Sequence, residues 1–382
     1  MHLPVTTTSP TTPIAVDDPI NARILAVSED RIAGFHRRPF REIAERAGVQ
    51  LDLVLERIRA MLDAGVIRRV RQTLLSTQLA PGALVAWAAP GDRLNDAFEF
   101  MAGQDPFSGH VVLRSTDAEI EGAKFKLWTT LKVPQGFSMT RHCDHLAEQV
   151  GADAYRIMPA KRLFKLGVGH VRRRTMAIGE KADEPAEAVA VQPIELDSTQ
   201  WRVVAALKRE FTTDEITADP WRQRAEEADL DVAKFCRIAR QLNERGVVGR
   251  FSTFLEHVKS VAGSTPVTRY NALFHWAVPD GREIEAGGEV GRFHILTHAY
   301  WREAGAAFNN VNTMAVAHGT DRDRLLAHKR AIDDHLAACG IPVSYTNVFW
   351  GGRSEIKPSE IVPAAYVRWC ESRGIDPDAM RE

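Results

Sequence analysis

Apolar residues recur at helical spacing in some stretches of this chain and alternate with polar ones in others. Val54, Ile58, Met61 and Leu62 fall at i, i+4, i+7 and i+8, which predicts a helix with one buried stripe, closed by Gly65. A shorter helix ending at Gly48 precedes it, and Val66-Ile67-Arg68-Arg69-Val70 opens an extended wing. That is the layout of a winged helix-turn-helix. Farther on, Phe235, Ile238, Ala239 and Leu242 mark an equivalent helix over 230–245, preceded by a less regular one containing Pro220 and Trp221. Strand patterns at 83–89, 110–115, 124–133 and 154–159, with helices at 94–102 and 138–150, follow the first of these modules. Strand patterns at 270–278, 294–301, 311–318 and 343–349, with helices at 282–288 and 321–338, follow the second. Strand, helix, strand, strand, helix, strand is the order of a ferredoxin-like unit.

The two sets are copies. Ala83-Leu84-Val85-Ala86-Trp87 returns 189 positions later as Ala272-Leu273-Phe274-His275-Trp276, and Gly109-His110-Val111-Val112-Leu113-Arg114 returns 188 later as Thr297-His298-Ala299-Tyr300-Trp301-Arg302. Gly65-Val66-Ile67-Arg68-Arg69 is answered by Gly246-Val247-Val248-Gly249-Arg250, 181 positions on. Slowly drifting offsets mean a tandem duplication with loop insertions, not a solenoid of short repeats. The fold class expected is α+β, each half a winged helix-turn-helix plus a ferredoxin-like module. The boundaries expected are a disordered start over 1–18, helix-turn-helix modules at 19–80 and 196–262, and ferredoxin-like modules at 81–174 and 263–357. The Ala/Glu/Pro-rich stretch 175–195 reads as a flexible linker, and Val362, Tyr366 and Trp369 predict one packed helix in the tail 358–382.

At 382 residues the chain exceeds one hydrophobic core, and two halves suit the usual domain size. No apolar run reaches the ~20 residues a membrane helix needs, and the Thr/Pro-rich start lacks the features of a secretory signal. Cys143, Cys236, Cys339 and Cys370 show no paired spacing, which suits a cytoplasmic protein. A net charge of −1 gives no general attraction to nucleic acid. Phosphate loops, dinucleotide fingerprints and nucleophile elbows are absent from the sequence. The cluster His142-Cys143-Asp144-His145 lacks further ligands at a zinc spacing and reads as a polar helix surface.

A helix-turn-helix joined to a ferredoxin-like module resembles the Lrp/AsnC regulators, and within that group the chain is most similar to the siroheme decarboxylases, in their fused two-half form of the heme d1 pathway. The motifs that carry this are His298-Ala299-Tyr300-Trp301-Arg302, matching a His-x-Tyr-x-Arg strand, and its partial copy from His110 to Arg114. Phe125-Lys126-Leu127-Trp128 and the late segments Arg162-Leu163-Phe164-Lys165 and Arg353-Ser354-Glu355-Ile356-Lys357 add to it. The resemblance covers about residues 38–170 and 195–358. It implies removal of carboxyl groups from acetates of siroheme, giving 12,18-didecarboxysiroheme, with iron belonging to the substrate and neither a protein metal site nor a cofactor of its own. It leaves open a homodimer or related decarboxylase subunits as partners.

Residues four apart on a strand share a face, so His298, Tyr300 and Arg302 point together. An imidazole is suited to proton transfer near neutrality and a guanidinium to gripping a carboxylate. His298, Tyr300, Arg302 and His110 are therefore the candidate catalytic residues, with Val112 standing in the first half where the second has Tyr300. Arg114, Lys161, Arg162, Lys165, His275, Arg353 and Lys357 are candidates for binding a polyanionic ring, with Arg172, Arg173, Arg174 and Arg292 as further basic positions. Two alternatives stand beside the enzyme: a DNA-binding regulator using Arg57, Arg59, Arg68, Arg69 and Arg71, and a non-catalytic tetrapyrrole carrier or sensor.

Overall fold

The computed structural model describes residues 12–75, 78–167, 176–190, 193–256 and 268–382. The first half runs α1 (Pro19–Ser28), β1 (Ile32–Ala33), α2 (Pro39–Ala47), α3 (Leu51–Asp63) and β2 (Ile67–Leu74). It continues with β3 (Gly82–Ala88), α4 (Leu94–Gly103), β4 (Ser108–Ser115), β5 (Leu127–Lys132), α5 (Met139–Val150), β6 (Ala154–Pro159) and β7 (Arg162–Leu166). The second half comprises a short β8 (Val189–Ala190), α6 (Ser198–Lys208), α7 (Trp221–Glu227), α8 (Val232–Glu244) and β9 (Val248–Leu255). Then come β10 (Tyr270–Ala277), α9 (Glu283–Gly291), β11 (Leu296–Trp301), β12 (Thr313–Gly319), α10 (Arg322–Ala338), β13 (Tyr345–Ile356) and a final helix α11 (Pro363–Ser372).

The helix-turn-helix modules do not stand apart. Their buried stripes, Phe40, Ile43, Val54 and Ile58 from one copy and Phe235, Ile238 and Leu242 from the other, form one core with Trp221. Their wings pair with each other, β2 running antiparallel to β9 in a sheet of order β1-β9-β2. Pro220 sits at the N-cap of α7 rather than inside a helix, so the irregularity in the sequence is a helix start. Residues 12–18, expected to lack structure, pack onto this unit: Val16 is buried and the Asn21 side chain donates to the Pro13 and Ala15 carbonyls.

The ferredoxin-like modules share a ten-stranded sheet of order β6-β3-β5-β4-β13-β10-β12-β11-β7-β8. The two halves exchange strand ends. The start of β13 lies along β10 of its own half, and its end pairs with β4 of the other (Ile356 opposite His110). Reciprocally, β6 pairs with β3 at home while β7, directly after it in the chain, pairs with β11 across the seam (Trp301 opposite Arg162). Because β6 and β7 are consecutive in the chain, the two ends of the strand order meet and the sheet curls back on itself. Its outer face is covered by α4, α5 and α11 in the first half and by α9 and α10 in the second. Its inner face is filled in part by Trp128, Phe125, Phe308, Phe349 and Met158.

The stretch 175–195, expected as a flexible linker, is held to the second module: Ala186 N–H donates to the Gly288 carbonyl at 2.9 Å, Lys181 bridges to Phe293, and β8 extends β7. On α9, Gly287 lets Phe164 approach so closely that a Cβ there would lie 2.1 Å from its ring. Replacing Gly287 by leucine is expected to destabilise the protein by about 1–3 kcal/mol through overpacking. A thermal melt equal to that of the wild type would show that Phe164 has room to move. The predicted tail helix is α11, and it docks on the first half. The Tyr366 hydroxyl lies 3.0 Å from His142 Nδ1, and its ring stacks on Phe137 at 4.3 Å. His142, expected on a polar surface, is fully buried, with Nε2 3.4 Å from Asp105.

Candidate active site

A cavity of about 400 Å³ opens between the inner face of the curled sheet and the helix-turn-helix unit, within the range of small-molecule sites. Strand periodicity decides who lines it. From β4 come His110, Val112 and Arg114; from β5, Trp128, Thr130 and Lys132; from β11, His298, Tyr300 and Arg302; from β12, Met314, Val316 and His318.

The candidate triad on β11 is assembled as a stack. The His298 and Tyr300 rings lie nearly parallel with centroids 6.0 Å apart, and the Arg302 guanidinium lies over the Tyr300 ring, 4.5 Å from its centroid. His298 Nδ1 is 3.0 Å from the Thr297 hydroxyl, which donates to the Val316 carbonyl at 3.1 Å. Burial pushes the Tyr300 phenol above its ordinary pKa, although Arg302 opposes the shift, so the phenol stays protonated at neutral pH. Arg302 also spans the seam, donating to the Met158 carbonyl at 2.5 Å. Its counterpart Arg114 donates to the Phe349 carbonyl at 3.3 Å and to Asn271 at 3.2 Å. Each half thus anchors the last strand of the other with the arginine that ends its motif.

The copies differ in where they put an aromatic ring. In the second half Tyr300 on β11 faces Met314 on β12; in the first, Val112 on β4 faces Trp128 on β5. The ring has moved to the neighbouring strand and lost its hydroxyl. The Trp128 indole N–H is satisfied by the Phe125 carbonyl at 2.7 Å.

The charged residues of this largely apolar cavity are nearly all cations. Arg68 and Arg71 of β2, Lys208 at the end of α6, Arg250 of β9 and Lys357 after β13 line it together with Arg114, Lys132 and Arg302. Glu29 is the one carboxylate among the described lining residues. Burial depresses these cations, taking Arg114 to about 9 and, with help from Arg69, Arg71 to about 10. Lys132 falls to about 7, through burial first and Arg302 second. Lys208 is paired with Glu360 at 3.0 Å and Arg250 feels Asp30 and Glu29, but the excess of positive charge favours any anion that enters.

Several predicted binders lie elsewhere. Lys161 pairs with Glu303 over the Trp301 ring, Arg162 donates to the Lys161 carbonyl, and Lys165 donates to the Phe293 carbonyl at 2.6 Å. Arg353 pairs with Glu99 over Phe98, and Arg292 bonds the Ala182 carbonyl and Glu289. These side chains do not line the cavity, because β7 turns Leu163 and Leu166 toward it instead. Lys357 does line it, and its ammonium caps the carbonyl end of α4 at Met101 and Ala102. His275 shares the inward face of Asn271 and Leu273 but sits deeper, among Trp128, Phe308 and Phe349. Burial takes it to about 3, so it is a neutral core residue. Arg172, Arg173 and Arg174 fall outside the described residues. Sequence reading missed Lys132, Lys208 and Arg250. For Lys132 the alternation Trp128, Thr130, Lys132 was a usable signal; for the other two, convergence depends on how the wings dock.

The cations of the regulator reading are committed internally. Arg57 is buried and bonds the Pro13 carbonyl and Asp18, Arg59 donates to the Ile216 carbonyl, and Arg69 bonds the Ile356 carbonyl and Glu210. Arg68 and Arg71 face the cavity. Among the described residues, Glu289, His335 and Cys339 are close enough to share a metal ion, but Arg292 already engages Glu289 and Lys181 lies 2.8 Å from His335 Nδ1. That arrangement is an ion-pair network on α9 and α10.

Comparison with known proteins agrees with this architecture. Residues 80–165 match the AsnC-like ligand binding domain, and residues 35–68 match the siroheme decarboxylase NirDL-like HTH domain. The chain is 25% identical over 291 residues to a siroheme decarboxylase of Hydrogenobacter thermophilus, covering 76% of this chain and 80% of that one. It is 23% identical over 286 residues to the siroheme decarboxylase NirDL subunit of Paracoccus pantotrophus, covering 75% and 80%. In fold it is similar to the crystal structure of the siroheme decarboxylase NirDL, with a TM-score of 0.63 at 19% identity over 93% of this chain and 98% of that one. The same protein solved in complex with an iron-uroporphyrin III analogue gives a TM-score of 0.63 at 19% identity, over 92% and 98%. With both halves on one polypeptide and the motifs of each lining a common cavity, these likenesses support a siroheme decarboxylase of the fused form.

Proposed function

We propose that this protein removes carboxyl groups from acetate side chains of siroheme, with His298, Tyr300 and Arg302 forming the reacting centre of the second half. The observation that carries the assignment of residues is their stack on the wall of a cavity whose charged lining residues, Glu29 apart, are cations. Siroheme is a polycarboxylate, and the lining arginines offer paired donors for its carboxylates. When carbon dioxide leaves an acetate, the electron pair of the broken bond stays on the methylene carbon, spread into the macrocycle, and one proton converts it to methyl. Within the stack His298 is the group whose chemistry suits delivery of that proton near neutral pH. Tyr300, held protonated, orients the imidazole and excludes water from one side. Arg302 and Arg114 grip carboxylates while anchoring the seam, so substrate recognition and the pairing of the halves use the same side chains. The iron arrives with the substrate.

Anaerobic incubation with siroheme, followed by mass spectrometry, tests this reading. The expected result is loss of carbon dioxide, and unchanged siroheme beside an active family member in the same buffer would reject it. A tetrapyrrole carrier would bind the ring and return it intact. Inward commitment of the helix-turn-helix cations argues against the regulator.

A further inference from the structure

In the first half a basic group faces the cavity from the strand beside the histidine strand as well. On β11 and β12, His298 lies opposite Val316, with His318 two residues farther along the inward face. On β4 and β5, His110 lies opposite Thr130, with Lys132 two residues farther. Neighbouring strands confirm the equivalence: His318 faces Asn271 on β10, and Lys132 faces Gly82 on β3. The duplication therefore gives each half a cavity-facing pair, His298 with His318 and His110 with Lys132. The half that has Val112 in place of the phenol is the half that carries the lysine.

We propose that Lys132 is the proton donor of the first half, completing a methyl group at a second acetate of the same tetrapyrrole. This rests on the decarboxylase reading above and names how its less complete half works.

Among the described residues, the Lys132 ammonium forms neither a hydrogen bond nor an ion pair, although its side chain is largely enclosed and its accessible part lines the cavity. Buried lysines without a partner are uncommon, because an unpaired ammonium is costly out of water. A merely structural lysine would have a carboxylate or carbonyl beside it, as Lys357 and Lys329 do. The pressure of burial and of Arg302 holds Lys132 near the middle of the neutral range, where a group can both carry and release a proton. An arriving carboxylate favours the ammonium, so substrate loads the donor. The step balances. The bond from methylene carbon to carboxyl carbon breaks and releases carbon dioxide. Its electron pair, held by the ring, takes a proton from the ammonium, and the neutral amine is reprotonated by water.

Two variants separate proton donation from simple attraction. Lys132→Arg keeps a positive charge but holds its proton too tightly to give it up, and Lys132→Ala opens space for a small amine. Binding is read by the absorbance change on adding iron uroporphyrin III, and turnover by mass spectrometry with siroheme. In both variants the expected product has lost one carboxyl group where the wild-type product has lost two. Completion is slowed at least ~100-fold, the usual scale for a lost general acid, while affinity for iron uroporphyrin III changes less than about tenfold in Lys132→Arg. Added ethylammonium is expected to restore completion in Lys132→Ala. Complete decarboxylation at the wild-type rate by Lys132→Arg would overturn the proposal, leaving the lysine as a charge. A slow Lys132→Ala that ethylammonium leaves slow would overturn it too, assigning the residue to structure. If the wild-type protein releases no carbon dioxide from siroheme, the functional reading itself fails, before any variant is made.

Discussion

Replacing His298 by alanine is expected to cut formation of the didecarboxylated tetrapyrrole by about 10²–10⁴-fold, the range for loss of a positioned proton-transfer group. The fold should survive. The ring of His298 faces the cavity and contacts the adjacent Thr297 hydroxyl, which keeps its bond to the Val316 carbonyl without it. A melting temperature within about 2 °C of the wild type is therefore expected. Product analysis by mass spectrometry, beside a melt of the same sample, checks both statements. Complete decarboxylation at full rate in this variant would move the chemistry away from β11 and onto His110. A variant changed at both His298 and Lys132 is expected to leave siroheme with all its acetates.

The second large effect is on stability, and its sign depends on pH. Lys132 is held at about 7 in the folded protein, against an ordinary lysine value near 10.5. Between those values the unfolded chain binds more protons than the folded one, so stability rises with pH. The penalty of burying the ammonium is fully present below about pH 7 and has vanished above about 10.5. Arg114, at about 9, and Arg71, at about 10, extend the same trend at the alkaline end. Replacing Lys132 by methionine removes the lysine's part of it. The methionine variant is expected to be more stable than the wild type by about 2–4 kcal/mol at pH 6, with the advantage disappearing toward pH 10. Melts of both proteins across that range decide the matter. A constant difference between them would mean that Lys132 is solvated or paired. Saturating iron uroporphyrin III is expected to stabilise the wild type most at the acid end, because its carboxylates supply the counter-charge the cavity lacks.

Such a cavity is a concession made for binding. Hydrophobic burial in the surrounding cores, the shared helix-turn-helix core above and the aromatic filling below, supplies the stability that a cluster of buried, mostly unpaired cations removes. The arginines ending the two motifs reduce that penalty by finding backbone carbonyls across the seam. Each half needs the last strand of the other to satisfy β4 or β11.

The amino-acid sequence by itself determined the duplication, the positions of the eight strands that make the two ferredoxin-like modules, and the common face of His298, Tyr300 and Arg302. These follow from local period and from self-comparison, which need no knowledge of long-range contacts. Only the tertiary structure decided which face looks into a cavity. In a sheet buried on both sides, apolar and polar residues occur on both faces, and a period of two says which residues agree without saying where they point. Hence Lys161, Arg162, Lys165 and Arg353 are found outside and His275 in the core, while Arg68, Arg71, Lys208 and Arg250 meet inside because two wings pair. That pairing joins residues nearly two hundred positions apart, Gln72 with Phe251 for one. Contacts at such a separation are set by how whole modules dock, and no short window of the chain contains them.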